Sequence, residues 1–353
     1  MKKYTILFFL ITIISACKKP EPSQNNDTTS TTTEILSGFS SNVAQATYND
    51  LAIQTSQLYD YILVFESSLT DQDLINCKQA WKDSRLAWEQ SEGFLFGPVS
   101  SDNIDPRIDT WPVDFTKLDS VLNSNAVYSS EYIDSLQDAL KGFHPIEYLL
   151  FGQNGNKTAS EFTSPEIDYL KALALNLKEL ASKLSDSWNQ NTTDNYYTEF
   201  INAGNGSTIY TTQRLAFEEL VNAMAAICDE VANGKMAEPF TLQDPSLEES
   251  PFAFNSITDF TNNIQSVENV YLGTYAIDGK GLEDLVRQNN LSLDNAVKTK
   301  LNAALAALNN ITIPFGQAIT QQPTQVQNAM DAINDLKTEI EDELFPFVQQ
   351  YTN

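Results

Sequence analysis

Three observations predict an all-α fold. Apolar residues recur at mixed three- and four-residue steps wherever a segment is long enough to read, alternating strand-like runs are few and short, and prolines and glycines border the periodic windows. Antiparallel helices with short connections bury their apolar stripes against one another, so the predicted architecture is two duplicated four-helix bundles packed together.

The chain opens on MKKYTILFFLITIISAC, which has two lysines, an apolar run too short for a comfortable membrane span, and small residues before Cys17. That is the build of a secretory signal over residues 1–17. Ile14-Ser15-Ala16-Cys17 also resembles the bacterial lipobox, in which the cysteine is acylated and becomes the lipid-anchored mature N-terminus. Residues 18–33 read as a disordered tether, because Ser, Thr, Asn and Gln bury too little apolar surface to offset the entropy of ordering. The first bundle is expected over residues 34–195.

Within it, Leu74, Cys77, Trp81, Leu86, Trp88 and Leu95 mark one face of a long helix over 74–96, and Gly97-Pro98 ends the pattern. The same reasoning predicts helices over 39–67, 131–141, 146–151, 165–188, 212–231, 256–272, 293–308 and 324–350. Pro165 and Pro251 fall at or before helix starts, and Gly234, Gly273 and Gly316 follow helix ends. "WEQSEGFLFG" (88–97) aligns with "QSVENVYLG" (265–273) when Glu92 is set on Glu268 and Gly97 on Gly273. In that register the flanking helices follow in the same order, which is the basis for a duplication. The linker falls in 191–206, rich in Asn, Thr and Gly, and the second bundle covers 205–353.

The chain carries 21 basic and 47 acidic residues, a formal net charge of -26. Such a field repels phosphate backbones and concentrates cations, so nucleic-acid binding is excluded and a metal ion is admitted as a partner. Cys77 and Cys228 make at most one bridge, and no CxxC spacing suggests a thiolate metal site.

His144, the single histidine, stands in "LKGFHPIEYLLFG" three residues before Glu147. A residue before proline is pushed out of the helical region, which makes Pro145 the expected first helical residue and His144 its cap. Glu147 would then lie in the first turn, where a carboxylate suits the helix dipole. Glu89 and Glu92 lie three apart on the predicted 74–96 helix, beside Trp81, Trp88, Phe94 and Phe96. Carboxylates so near a core are costly unless paired or metal-bound, and Arg85, four residues before Glu89, is a candidate supporting partner. "IDPRIDTWPVD" (104–114) reads as a loop able to aim Asp105, Asp109 and Asp114 at a common point.

With "WEQSE", "DPRIDTWPVD" and "GFHPIE" in that order, the chain resembles the imelysin family, whose hallmark is a GxHxxE motif, here Gly142 to Glu147. "DPSLEESPFAFNSITDFTNNI" (244–264) extends the resemblance to the Bacteroidetes-type lipoprotein branch. The resemblance implies an all-helical fold of two related bundles, a periplasmic or outer-membrane location and a link to iron uptake. Similar proteins include a founding member described as a metallopeptidase and the periplasmic metal-binding domain of bacterial ferrous-iron importers. Carried over by position, the implied metal ligands are Glu89, Glu92, Asp109, His144 and Glu147, with Arg85 behind them. The second copy keeps Glu268 but has no histidine, which limits the chain to one such site.

A zinc peptidase ordinarily rests its metal on two imidazoles and keeps a free general base. One histidine in the whole chain fits that poorly, although His144 and Glu147 would be the catalytic residues if the protein were a peptidase. One imidazole with several carboxylates suits a harder, borderline cation such as iron or manganese and also accommodates zinc, copper or calcium, and the link to iron uptake that the resemblance implies puts iron first. The leading expectation is therefore a non-enzymatic metal binder in iron uptake, anchored to outer-membrane lipid, facing the periplasm and serving an iron-transport partner protein. A metal-dependent peptidase is the alternative. A third is an interaction lipoprotein in which these groups satisfy one another as a polar knot.

Overall fold

The computed structural model describes residues 25–352 except Asn125; the signal segment, Cys17 and residues 18–24 lie outside the described residues. Every regular element among the described residues is helical. The first helix, α1 (Asn25–Gly38), runs through a π segment (Phe39–Gln45) into α2 (Ala46–Ser68). The tether expected over 18–33 thus includes helical residues from Asn25. Thr32 is buried there and donates its hydroxyl to Gln213 Oε1 at 2.6 Å, so docking onto the second half of the chain overrides the polar composition.

α2 packs against α3 (Asp71–Glu89) and α5 (Ser164–Trp188), and the short α4 (Phe143–Phe151) lies against α3 and α5. In the second half, α6 (Gln213–Asp229), α7 (Ser256–Leu272), α8 (Leu291–Asn309) and α9 (Pro323–Glu339) pack side by side. Side-chain caps fix several helix starts. Thr70 accepts from the Asp73 N–H, Thr212 accepts from that of Leu215, and Thr163 with Glu166 forms a capping box.

Several predicted helices differ in extent. The 74–96 helix stops at Glu89, and Glu92 lies on a separate 3-10 turn (Glu92–Phe94). The 131–141 helix reduces to Ser130–Asp134 and a 3-10 turn at Asp138–Leu140. The helix expected over 146–151 starts at Phe143, so His144 lies inside its first turn and is not its cap. Proline is tolerated at its third position because the first N–H groups of a helix have no intrahelical acceptor. Cys77 and Cys228 are both buried free thiols.

The two halves meet where α3 and the turn after it face α7. Gly93 makes this approach close, since a Cβ there would stand 2.6 Å from Ser266 Oγ and 3.0 Å from its carbonyl carbon. Gln90 and Asn262 hydrogen-bond across the same seam at 2.8 Å, and Asn269 donates to Gln90 at 2.9 Å. One apolar core continues through both halves. The polar cluster described next lies at this junction.

Candidate metal centre

α3 contributes Arg85 and Glu89 one turn apart, both fully buried. Trp81, on the same helix, donates its indole N–H to the Phe143 carbonyl at 3.0 Å, which pins the start of α4 and with it His144. Phe143 lies beneath the Arg85 guanidinium, 5.2 Å from ring centre to Cζ. A further support is Gly142, at φ +83, where a Cβ would lie 2.0 Å from the Ile108 carbonyl oxygen. That position needs glycine on both counts, and the contact brings the Asp109 segment up to His144. The first residue of the GxHxxE motif therefore has a structural cause.

Arg85 lies among four carboxylates. It contacts Glu89 and Asp109 closely, Glu249 at 2.9 Å, and Asp259 at 3.7 Å. Lys235 enters from a π segment (Glu230–Lys235) that continues α6. Its ammonium lies 2.7 Å from Glu92, 2.9 Å from Glu249 and 3.7 Å from Glu89. Asn263 on α7 donates to Glu89 and, at 2.6 Å, to Glu92. Trp88 donates to Asp109 Oδ2 at 2.7 Å.

His144 has a carboxylate on each side. Nε2 is 3.1 Å from Asp109 Oδ1, and Nδ1 is 3.6 Å from Glu147 Oε2. Glu147 Oε1 is held by the N–H groups of Phe252 and Ala253 at 2.9 and 2.8 Å. The Trp111 ring covers the imidazole at 5.0 Å between centroids.

Six carboxylates (Glu89, Glu92, Asp109, Glu147, Glu249 and Asp259) thus face two fixed cations, Arg85 and Lys235. Full ionisation leaves an excess of four negative charges, and the acid–base equilibria respond. Burial pushes Glu89 up to about 8 despite Arg85 and Lys235. Burial and the neighbouring Glu89 hold Glu92 well above the usual carboxylate range. Burial opposes ionisation of Asp109 as well, but Arg85 and His144 hold it well below that range. Burial likewise works against a charge on His144, yet Asp109 and Glu147 raise it to about 9.

Three groupings place one donor atom from each member within 4.8 Å of the others: Glu89–Glu249–Asp259, Glu89–Glu92–Asp109, and Asp109–His144–Glu249. Arg85 contacts every member of the first. Lys235 contacts Glu89 and Glu92 of the second. Arg85 also contacts Asp109 and Glu249 of the third, and Lys235 contacts its Glu249, but among the three only this grouping includes an imidazole, with Nε2 3.1 Å from Asp109 Oδ1. Its donor set, one imidazole nitrogen and two carboxylates, fits a borderline cation such as iron. An open cleft of about 330 Å³ lined by Asp105, Glu230, Glu238 and Glu249 leads to it.

Glu89, Glu92, Asp109 and His144 therefore converge, with Arg85 among the carboxylates. Glu147 lies on the far side of the imidazole. Asp105 lines the cleft, whereas Asp114 caps the helix Phe115–Leu122 by accepting from Lys117 N. Glu268, aligned with Glu92 in the repeat, is bonded by Gln265. Sequence reasoning missed Lys235, Glu249, Asp259 and Asn263. For two of these a signal existed: Asp259 and Asn263 occupy core-facing positions of α7 in step with Phe260, Ile264 and Val267, where an unpartnered polar group is costly.

An all-helical chain with a buried carboxylate cluster around one imidazole defines a helical protein with a candidate metal centre. The family model described as Imelysin matches residues 44–342, and the chain belongs to the imelysin family. The iron-regulated protein A of Synechococcus elongatus is 28% identical over 343 residues, covering 96% of this chain and 91% of that protein. A crystal structure of a putative iron-regulated protein A precursor from Parabacteroides distasonis superposes with a TM-score of 0.82 at 24% identity, covering 92% of this chain and 95% of that one. An imelysin-like protein from Psychrobacter arcticum gives 0.75 at 15% identity, covering 91% and 96%. These two likenesses show the fold.

Proposed function

We propose that the protein is a cell-envelope lipoprotein that binds a metal ion, iron before zinc, copper, manganese or calcium, in the service of iron uptake. The observation that carries this reading is the fully buried His144, its Nε2 beside Asp109 and Glu249, within a cluster whose carboxylates outnumber its cations. In this reading His144, Asp109 and Glu249 hold the ion, and Glu147 orients the imidazole from Nδ1, as carboxylates do behind metal-bound histidines. Glu89 and Glu92 add negative potential and come within reach of the ion once Lys235 moves aside. The name of the Synechococcus relative supports the link to iron. The lipobox at Cys17 supports outer-membrane anchoring on the periplasmic face, beside an iron-transport partner protein.

The test is a bound-metal assay of the purified protein and of His144→Ala after loading with each metal in turn. Near-stoichiometric iron in the parent, lost in the variant, is the expected result. Failure of the parent to hold any metal under every loading condition would remove the proposal. Incubating the iron- and zinc-loaded protein with an unfolded protein substrate tests the peptidase alternative. Cleavage abolished by Glu147→Gln would establish that activity in place of simple binding.

A further inference from the structure

A second pocket, of about 460 Å³, opens on the other side of Trp111 from the acidic cleft. Its walls are aromatic: Phe115 and Tyr148 pack at 4.9 Å, Tyr148 and Phe252 at 5.3 Å, and Trp111 and Phe252 at 6.3 Å between centroids. Phe254 completes the rim, 52% exposed and held at φ +52. A bulky side chain in the left-handed region is costly, so the segment keeps this ring at the opening against a local conformational penalty.

One charged group lines this pocket. Glu248 is only 4% exposed. Its Oε2 accepts from Ser256 Oγ at 2.9 Å and from the Gly316 N–H at 3.1 Å. Its Oε1 takes no hydrogen bond from the described residues, and none of the residues lining the pocket is a lysine, arginine or histidine. With one oxygen outside any hydrogen bond and no counter-charge in the lining, Glu248 leaves a place for a cationic partner. Aromatic faces attract cations through the ring quadrupole, and the chain's charge of -26 enriches cations and repels anions nearby. A bare metal ion is poorly served by a single carboxylate among rings. A cation with an apolar body satisfies both the walls and Glu248, and the volume suits a small molecule.

We propose that this pocket binds an organic ammonium compound, its cationic head between Glu248 and the aromatic rim and its apolar body against Phe252 and Tyr148. The pocket shares Trp111 and Phe252 with the surroundings of the metal centre but carries its own carboxylate, Glu248.

Benzyltrimethylammonium is a suitable probe, with neutral benzyl alcohol as its control, titrated into the whole protein by calorimetry and tryptophan fluorescence. Saturable binding is expected, with benzyl alcohol weaker by about tenfold or more. Glu248→Gln and the exposed-ring variant Phe254→Ala should each weaken the ammonium probe by about tenfold. Equal affinity for the two probes would overturn the proposal, as would absence of saturable binding, or binding indifferent to both pocket variants.

Discussion

The two nitrogens of His144 face two different carboxylates, Nε2 lying 3.1 Å from Asp109 and Nδ1 lying 3.6 Å from Glu147. The two acids are not equivalent. Asp109 belongs to the cluster at the junction of the two halves, whereas Glu147 is tied by one oxygen to the backbone of residues 252 and 253. In the proposed reading, that asymmetry separates a residue that would touch the ion from one that would aim its ligand.

Glu147→Gln preserves the side-chain shape and the acceptor for the two backbone N–H groups. It places an amide donor opposite Nδ1, which favours the tautomer carrying its proton on Nε2, the nitrogen needed for the metal. Iron affinity should fall by about 10- to 100-fold, the range found for such supporting groups, with the melting temperature nearly unchanged. Competition against a chelator of known affinity measures it, and an unaltered affinity would exclude the orienting role.

Iron binding should strengthen as pH rises. In the metal-free protein His144 titrates at about 9, so at pH 7 it largely holds a proton that the ion must displace, and Glu89, at about 8, largely lacks the charge that would attract the ion. Raising pH through these values removes that competition, and the sign is therefore positive. Calorimetry in buffers of different ionisation enthalpy should show proton release near pH 7.

Arg85 stabilises the junction irrespective of metal. Replacing it by methionine leaves Glu89, Asp109, Glu249 and Asp259 buried without their shared counter-charge. Loss of one member of such a buried cluster costs about 3–5 kcal/mol. Urea denaturation should show this loss, with partial recovery on acidification, which neutralises the stranded carboxylates.

Lys235 has the opposite effect on binding. Its ammonium lies 2.9 Å from Glu249 and competes with an incoming cation for the same carboxylates. Lys235→Met should tighten iron binding, on the order of tenfold, by removing a like charge a few ångströms from the ion. Weaker binding in the variant would mean that Lys235 holds the ligands in place.

The long helices were legible because their apolar stripes repeat over many turns, and the caps at Thr70, Thr163 and Thr212 follow from local chemistry alone. The interruptions were not. Whether the chain passes from α3 into a 3-10 turn at Glu92, or from α6 into a π segment at Glu230, depends on packing across the junction of the two halves, where Gly93 lets Ser266 approach. The site was half legible for the same reason. His144, Glu147, Glu89, Glu92 and Asp109 are picked out together by the resemblance to the imelysin family, since the local pattern of each is equally that of a helix cap, a solvated face or a turn. Lys235 and Glu249 lie in short, polar connecting stretches with no periodicity to betray a buried side chain, and only the tertiary fold reveals that they complete the cluster.

The central claim, that the Asp109–His144–Glu249 corner holds the ion, is tested most directly by an anomalous difference map at the iron edge from crystals of the iron-loaded protein. The account predicts a single strong peak bonded to His144 Nε2 and to carboxylate oxygens of Asp109 and Glu249. A peak at the cleft mouth near Glu230 and Glu238, with His144 unbound, would contradict it.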